Sequence, residues 1–213
     1  MTEEPEIIFA IEGRAGIVTL NRPKALNALT LEMFRALHSQ LQEWASDDRV
    51  ERIIIEGAGD RAFCAGGDIR RLYEWGLAMD SRFLDLFREE YVLNNYIKQY
   101  PKPYIALLDG IFMGGGVGVS VHGSHRIVTE RATFAMPETG IGLFPDVGST
   151  YFLPRCPGET GMYIGLTGAR LKAGDALYAG VATHYVPHDK LHDLKQALKT
   201  FADVDEAIQH YAG

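Results

Sequence analysis

Three observations predict an α/β fold. Short β-branched runs alternate with longer stretches whose apolar residues recur at helical spacing. Glycine-rich turns follow the apolar runs, as in Ala65-Gly66-Gly67-Asp68 and Gly114-Gly115-Gly116. The order strand, strand, helix then recurs along the chain, which implies crossover connections between parallel strands. A length of 213 residues suits one large domain or two small ones. No Ser/Pro-rich linker, low-complexity tract or clean repeat divides it. One core is expected over residues 1–188, with a helical segment over 189–213.

The elements follow in order. Ile7–Ile11 and Gly16–Leu20 flank Glu12-Gly13-Arg14-Ala15 and read as a hairpin. Asn21 to Asn27 is a loop by its Asn and Pro content. Thr30 can cap a helix that carries Glu32 in its first turn. Phe34, Leu37, Leu41 and Trp44, spaced three, four and three apart, share one face of that helix. Arg52–Glu56 is a buried strand closed by Gly57 and Gly59. Phe63 to Asp68 joins a strand end, a glycine turn and a helix cap. A helix from about Arg82 to Gln99 stops at Pro101 and Pro103. Tyr104–Leu108 is a strand, followed by a small-residue helix from the Gly114 turn to about His122. Arg126–Thr129 and Thr133–Ala135 read as a short strand pair. From Gly148 the chain is mostly helical, with one strand near Val181–Val186.

Charge and composition exclude several functions. Basic residues number 21 and acidic 28, a net charge of −7, which opposes nucleic-acid binding. The start, MTEEPEII, has no apolar core and does not read as a secretory signal. The apolar stretch from Tyr104 to Val121 is broken by Asp109 and five glycines, so no membrane span is expected. A cytoplasmic location is the expectation. The two cysteines, Cys64 and Cys156, form no metal-ligand motif. His122 and His125 lack a third ligand and read as a helix-end pair that satisfies carbonyls, with no metal. Dinucleotide-fingerprint, phosphate-loop and serine-elbow spacings are all missing.

Two features can carry chemistry. The glycine turns at Gly67 and Gly115 let backbone amides approach a ligand closely and could converge as an oxyanion hole for a thioester carbonyl. Tight turns that need positive φ explain the same glycines. Glu138 and Asp146 stand eight residues apart among apolar residues, glycines and prolines. Burial would raise such carboxyls toward the range useful for proton transfer. A cap or surface role for Glu138, and an N-cap role for Asp146, stay open.

The strings NRPKALNAL, FCAGGDI, KPYIALLDGIFMGGG and FAMPETGIGLFPDVGSTYFLPR resemble the crotonase (enoyl-CoA hydratase/isomerase) superfamily over roughly Ile7 to His188. Within it the chain is most similar to the 3-hydroxyisobutyryl-CoA hydrolase family. That similarity rests on Phe87-Arg88-Glu89-Glu90-Tyr91-x-Leu93-Asn94, on the GVGVSVHG string from Gly116 to Gly123, and on Phe144-Pro145-Asp146-Val147-Gly148. The resemblance implies a crotonase-like spiral of ββα turns. It implies hydrolysis of a short hydroxyacyl-CoA thioester, as in valine catabolism. Coenzyme A is then part of the substrate, and no separate cofactor is implied. The oxyanion donors would be the Gly67 and Gly115 amides. Lys24, Ala25, Leu26, Ala65, Asp68 and Ile69 would line the coenzyme A pocket. Ordinary roles, an exposed lysine and a helix cap, stay open for Lys24 and Asp68. Glu138 would attack the carbonyl or activate water, Asp146 would position or protonate, and Glu90 would complete the polar end of the acyl pocket. A solvated helical role remains the alternative for Glu90.

Hydratases of this superfamily use two glutamates, and the position of the first falls on Gly118, which has no side chain. This favours hydrolysis over hydration. A hydratase or isomerase of the same fold, and a non-catalytic acyl-CoA-binding member, are the alternatives. A homo-oligomer is left open. Members of the hydrolase family continue as helices beyond the point where this sequence stops, so the resemblance also implies a fragment or a short member.

Overall fold

The first two β-branched runs form an antiparallel hairpin, β1 (Ile7–Glu12) on β2 (Ala15–Leu20). The tight turn between them uses Gly13 at φ +59. In the computed structural model, residues 4–212 are described; Met1 to Glu3 of the acidic start and Gly213 of the helical segment lie outside them. α1 (Leu31–Ala45) starts where Thr30 accepts the Met33 amide at 3.2 Å, and it buries Phe34, Leu37, Leu41 and Trp44 as one face. It carries the chain across to β3 (Arg52–Gly57), which lies parallel to β2.

Thereafter each turn of the chain lays one strand in each of two sheets. β3 is followed by β4 (Ala62–Cys64). α2 (Ile69–Leu77) and α3 (Arg82–Lys98) then return the chain to β5 (Tyr104–Leu108), with β6 (Ile111–Met113) after it. One helical turn, α4 (Gly115–Gly118), leads toward β7 (His125–Val128) and β8 (Thr133–Ala135). The C-terminal part holds α5 (Ser149–Phe152), α6 (Thr160–Thr167), α7 (Ala173–Tyr178), β9 (His184–Tyr185), α8 (His188–Thr200) and α9 (Val204–Tyr211). The six-stranded sheet runs β1-β2-β3-β5-β7-β9 and the three-stranded sheet β4-β6-β8. This is the expected spiral of ββα turns.

Two local expectations are corrected. β7 and β8 do not pair with each other: β7 pairs with β5 and β9, and β8 with β6. The Thr129 hydroxyl donates to Asp109 at 2.6 Å, and the Ala132 amide to the Thr129 carbonyl at 3.0 Å. This turn sends the chain from one sheet to the other. The small-residue helix ends at Gly118 rather than near His122. Glycine is a weak helix former, and the Ser120 hydroxyl takes the Gly116 carbonyl at 2.7 Å. Close packing explains the glycine: a Cβ on Gly116 would come 2.8 Å from the Cys64 Cβ.

The six-stranded sheet is covered on both faces, as its near-continuous apolar strands require. One face packs in the large core with α1 and α3. On the other, Ile17, Ile54, Ile105 and Ile127 meet Leu194, Leu198, Ala207 and Ile208 of α8 and α9. Arg52 secures that layer from inside. It is 2% exposed, and its guanidinium donates to the Phe201 carbonyl at 2.8 Å and the Ala202 carbonyl at 3.2 Å, just past the end of α8. Arg52→Ala removes a charge-assisted anchor between β3 and the end of α8. The expected cost is about 3 kcal/mol, a fall in Tm of roughly 6–12 °C in a chain of this size. Calorimetry checks it, and a fall below about 2 °C would contradict the anchoring role. Among the described residues no helix is long and apolar enough to cross a membrane.

Candidate active site

Two strand-to-helix turns meet at one end of the sheets. After β4 the chain passes Gly66 at φ +120, a backbone conformation that excludes a side chain, and enters α2 under the Asp68 cap. After β6 it passes Gly114 at φ +48 and enters α4. The turns touch: a Cβ on Gly115 would lie 3.1 Å from the Gly67 amide nitrogen. Among the described residues, neither the Gly67 nor the Gly115 amide donates to any acceptor. Where Gly67 would carry a side chain there is nothing within 4 Å. Both glycines border one space.

That space is a cavity of about 190 Å³ bounded by Ala65, Gly67, Ile69, Gly115, Leu86, Phe87 and Val147 together with three carboxyl groups. Its volume is below the roughly 300–1,000 Å³ of pockets for drug-sized ligands, a size that suits a short acyl group. Glu138 opens a 3-10 turn after β8. It is 6% exposed, and its Oε2 has no hydrogen-bond partner. Burial, with a smaller contribution from Asp146, pushes its carboxyl up to about 7. This excludes the surface role. Asp146 lies on the loop before α5 and is 8% exposed. Its side chain does not cap α5 but accepts the Tyr91 hydroxyl at 2.8 Å. Burial raises its carboxyl, against the lowering effect of that bond.

Glu90 is on α3, 3% exposed, with Oε1 unpartnered and 2.7 Å from where a Cβ on Gly115 would sit. Burial first, then Asp146 and Glu138, push its carboxyl well above the usual range. Its neighbour Glu89 takes the solvated role instead, in a two-bond pair with Arg35 at 2.6 and 2.8 Å. Three buried carboxyls around one cavity cannot all be ionised. The proton is best held by Glu90, the most deeply buried of the three and flanked by the other two, and Tyr91, raised by its own burial, stays a protonated donor to Asp146.

The remaining expected residues fall into two groups. Ala65 and Ile69 line the cavity. Lys24 and Ala25 are exposed on the 3-10 turn Pro23–Ala25, and the Leu26 carbonyl accepts the Ala65 amide at 3.0 Å, so this loop borders the site without entering the cavity. Asp68 turns away. It caps α2 and pairs with Arg22 at 2.9 Å, so any contact with substrate there falls to backbone. His122 and His125 do not share a helix face, since α4 ends earlier. His122 reaches the Val147 carbonyl, and His125 reaches Ser124 and Asp205. Among the described residues no group of three or more metal-ligating side chains is assembled.

Two further side chains, Tyr91 and Asn94, border the site. Tyr91 was one letter in a longer string, and nothing local links it to a carboxylate 55 positions away. Asn94, 4% exposed with both amide atoms unpartnered, fills the space beside Gly118. A Cβ on Gly118 would lie 2.8 Å from Asn94 Nδ2 and 2.9 Å from the Val147 Cβ. The place of the first hydratase glutamate is thus occupied, not merely empty of a side chain.

Comparison with known proteins places these features in context. The family model described as enoyl-CoA hydratase/isomerase matches residues 15–213. The chain is 53% identical over 211 residues to a protein of Danio rerio named 3-hydroxyisobutyryl-CoA hydrolase, mitochondrial, covering 97% of this chain and 55% of that one. A Rattus norvegicus protein of the same name is 57% identical over 197 residues, covering 92% of this chain and 51% of that one. The chain therefore spans about half the length of the curated relatives it matches. Among solved structures, a carnitinyl-CoA dehydratase from Mycobacterium thermoresistibile superposes with a TM-score of 0.95 at 45% identity, covering 99% of this chain and 62% of that one. An enoyl-CoA hydratase from Rhodobacter sphaeroides 2.4.1 gives 0.89 at 43%, covering 98% and 67%.

Proposed function

The chain belongs to the enoyl-CoA hydratase/isomerase family, and from that premise we propose that it hydrolyses a short hydroxyacyl-CoA thioester, 3-hydroxyisobutyryl-CoA first among them. One observation carries the reading. Glu138, Asp146 and Glu90 gather around a small cavity at the Gly67 and Gly115 amides, while the space at Gly118 is filled by Asn94 and Val147. Addition of water to an alkene by the superfamily's glutamate pair needs a carboxylate at that filled place. Hydrolysis of the thioester does not.

The proposed steps use groups already positioned. The thioester oxygen accepts hydrogen bonds from the two amides, which stabilise the charge that develops on it; loss of one such donor typically costs about 10²–10³ in rate. Glu138, ionised, either removes a proton from water as it attacks the carbonyl carbon or attacks that carbon itself to give a mixed anhydride that water then cleaves. Either way the C–S bond breaks and the coenzyme A thiolate leaves and is protonated. Asp146, fixed by Tyr91, orients the substrate hydroxyl, and protonated Glu90 donates at the polar end of the acyl group. Lys24, exposed at the rim loop, would face the phosphates, with Ala25, Leu26, Ala65, Ile69 and the Asp68 backbone along the thioester arm.

The test is release of free thiol from 3-hydroxyisobutyryl-CoA, run beside crotonyl-CoA hydration. Thiol release with negligible hydration is the expected result. Hydration without release would assign the family's commoner chemistry, and tight binding without turnover a non-catalytic role. Because Glu138 must be ionised and its carboxyl lies near 7, kcat/KM should climb about tenfold per pH unit below that value and level off above it. A flat profile between pH 5.5 and 8 would remove Glu138 from that role. The cytoplasmic location remains part of the proposal and is opposed by the relatives' names, which place those proteins in mitochondria; fractionation of the source cells decides.

A further inference from the structure

Val147, the residue after Asp146, is β-branched, 1% exposed, and held at φ +46. A β-branched side chain in the left-handed region is strained and persists only where its surroundings impose it. The surroundings here are the ring of His122, 25 positions earlier. Its Nε2 lies 2.8 Å from the Val147 carbonyl. The next residue, Gly148, has φ +81, and a Cβ on it would come 2.6 Å from both Cε1 and Nε2 of that ring. His122 therefore lies directly against the backbone that follows Asp146.

A carbonyl oxygen only accepts, so Nε2 carries the proton and donates. Burial lowers the ring's pKa, opposed by the bond to Val147 and aided by Lys98 and Arg126, so the ring is neutral with its single N–H at Nε2. Asp146 stands one peptide away. Its own carbonyl accepts the Ser149 amide at 2.8 Å, and its carboxylate meets the Tyr91 hydroxyl at the cavity wall. If Val147 relaxed to extended backbone, the peptide after Asp146 would turn and the carboxylate would leave Tyr91.

We propose that His122 is a positioning residue, whose Nε2–H holds Val147 in the left-handed conformation and so aims Asp146 into the cavity. It acts through Val147 and does not touch substrate. The effect on rate rests on the reading of Asp146 as a working carboxylate.

Long-range ¹H–¹⁵N spectra of the unaltered protein at pH 8 read the ring directly. A neutral Nε2–H tautomer is expected, and an Nδ1–H tautomer or a charged ring overturns the proposal, whatever the variants do. Two substitutions then read the consequence. His122→Phe keeps an aromatic ring, somewhat larger, without the donor, and His122→Gln restores an N–H at similar reach. His122→Phe should lower kcat by about 10²-fold, the usual consequence of misplacing a group by an ångström, with KM within about threefold of the parent. His122→Gln should recover kcat to within about tenfold. Parental kcat in His122→Phe, or equal loss in both variants, overturns the assignment. If the parent protein hydrolyses none of the thioesters, the functional reading fails by itself. Crystal structures of the parent and His122→Phe then decide the positioning role. Val147 leaving the left-handed region and the Tyr91–Asp146 contact opening beyond about 3.5 Å support it, and an unchanged loop overturns it.

Discussion

Glu138→Gln should lower thioester hydrolysis by about 10³-fold while acyl-CoA binding stays within about threefold of the parent and the folded state becomes more stable above neutral pH. The rate effect follows from removing a carboxyl whose ionisation falls near working pH; the amide keeps the shape but neither attacks nor accepts a proton. The stability effect follows from the same burial. In the folded state the Glu138 carboxyl lies at about 7 against an ordinary 4.5, so between those values the folded chain holds a proton that the unfolded chain has released. Stability from that proton is complete below about 4.5 and is lost as pH rises through 7. Above that, the parent carries a buried carboxylate with an unpartnered oxygen that the variant lacks. A gain of about 1–3 kcal/mol at pH 8, or a few degrees in Tm, is expected. A variant that hydrolyses at the parental rate would end the assignment, and one that loses both rate and Tm would point to a structural fault instead. Single-turnover hydrolysis in ¹⁸O water tests the anhydride route: label in the Glu138 carboxyl marks an anhydride opened at the enzyme carbonyl, whereas label in the product alone is given both by general base catalysis and by an anhydride opened at the acyl carbon.

The elements that local chemistry decides were legible in the sequence. Thr30 ahead of a three-four-three apolar spacing gave α1 and its buried face, and the prolines after Gln99 gave the end of α3. What depends on partners far along the chain was not. Thr133–Ala135 looked like a mate for the strand before it, but parallel pairing to β6 is decided by the Thr129 turn and its bond to Asp109. The site shows the same division. Glu138 and Asp146 stood out by being acidic among apolar residues. Glu89 and Glu90 could not be told apart until the face that α3 buries was known, when one met Arg35 and the other the cavity. Tyr91 and Asn94 stood only within a longer string and His122 only in a helix-end pair, because each acts on a residue that only the fold brings near: Asp146, Gly118 and Val147.

Gly118→Glu should destabilise the protein by about 3 kcal/mol or more, lower Tm by roughly 6–12 °C, and still fail to hydrate crotonyl-CoA above the parental background. On the sequence alone this substitution looks like a restoration, since it returns a carboxylate to the place hydratases use. The fold leaves it no room. The first carbon of the new side chain would sit 2.8 Å from Asn94 Nδ2, 3.0 Å from Asn94 Oδ1 and 2.9 Å from the Val147 Cβ. Val147 belongs to strained backbone beside Asp146 and lines the cavity, so it cannot yield without moving a cavity wall, and the buried Asn94 amide would have to turn aside as well. The conversion therefore needs compensating changes at 94 and 147 before a hydratase glutamate can be seated. Clear hydration by the single Gly118→Glu variant, with a parental Tm, would show that this space is not filled as described and would reopen alkene chemistry for the chain.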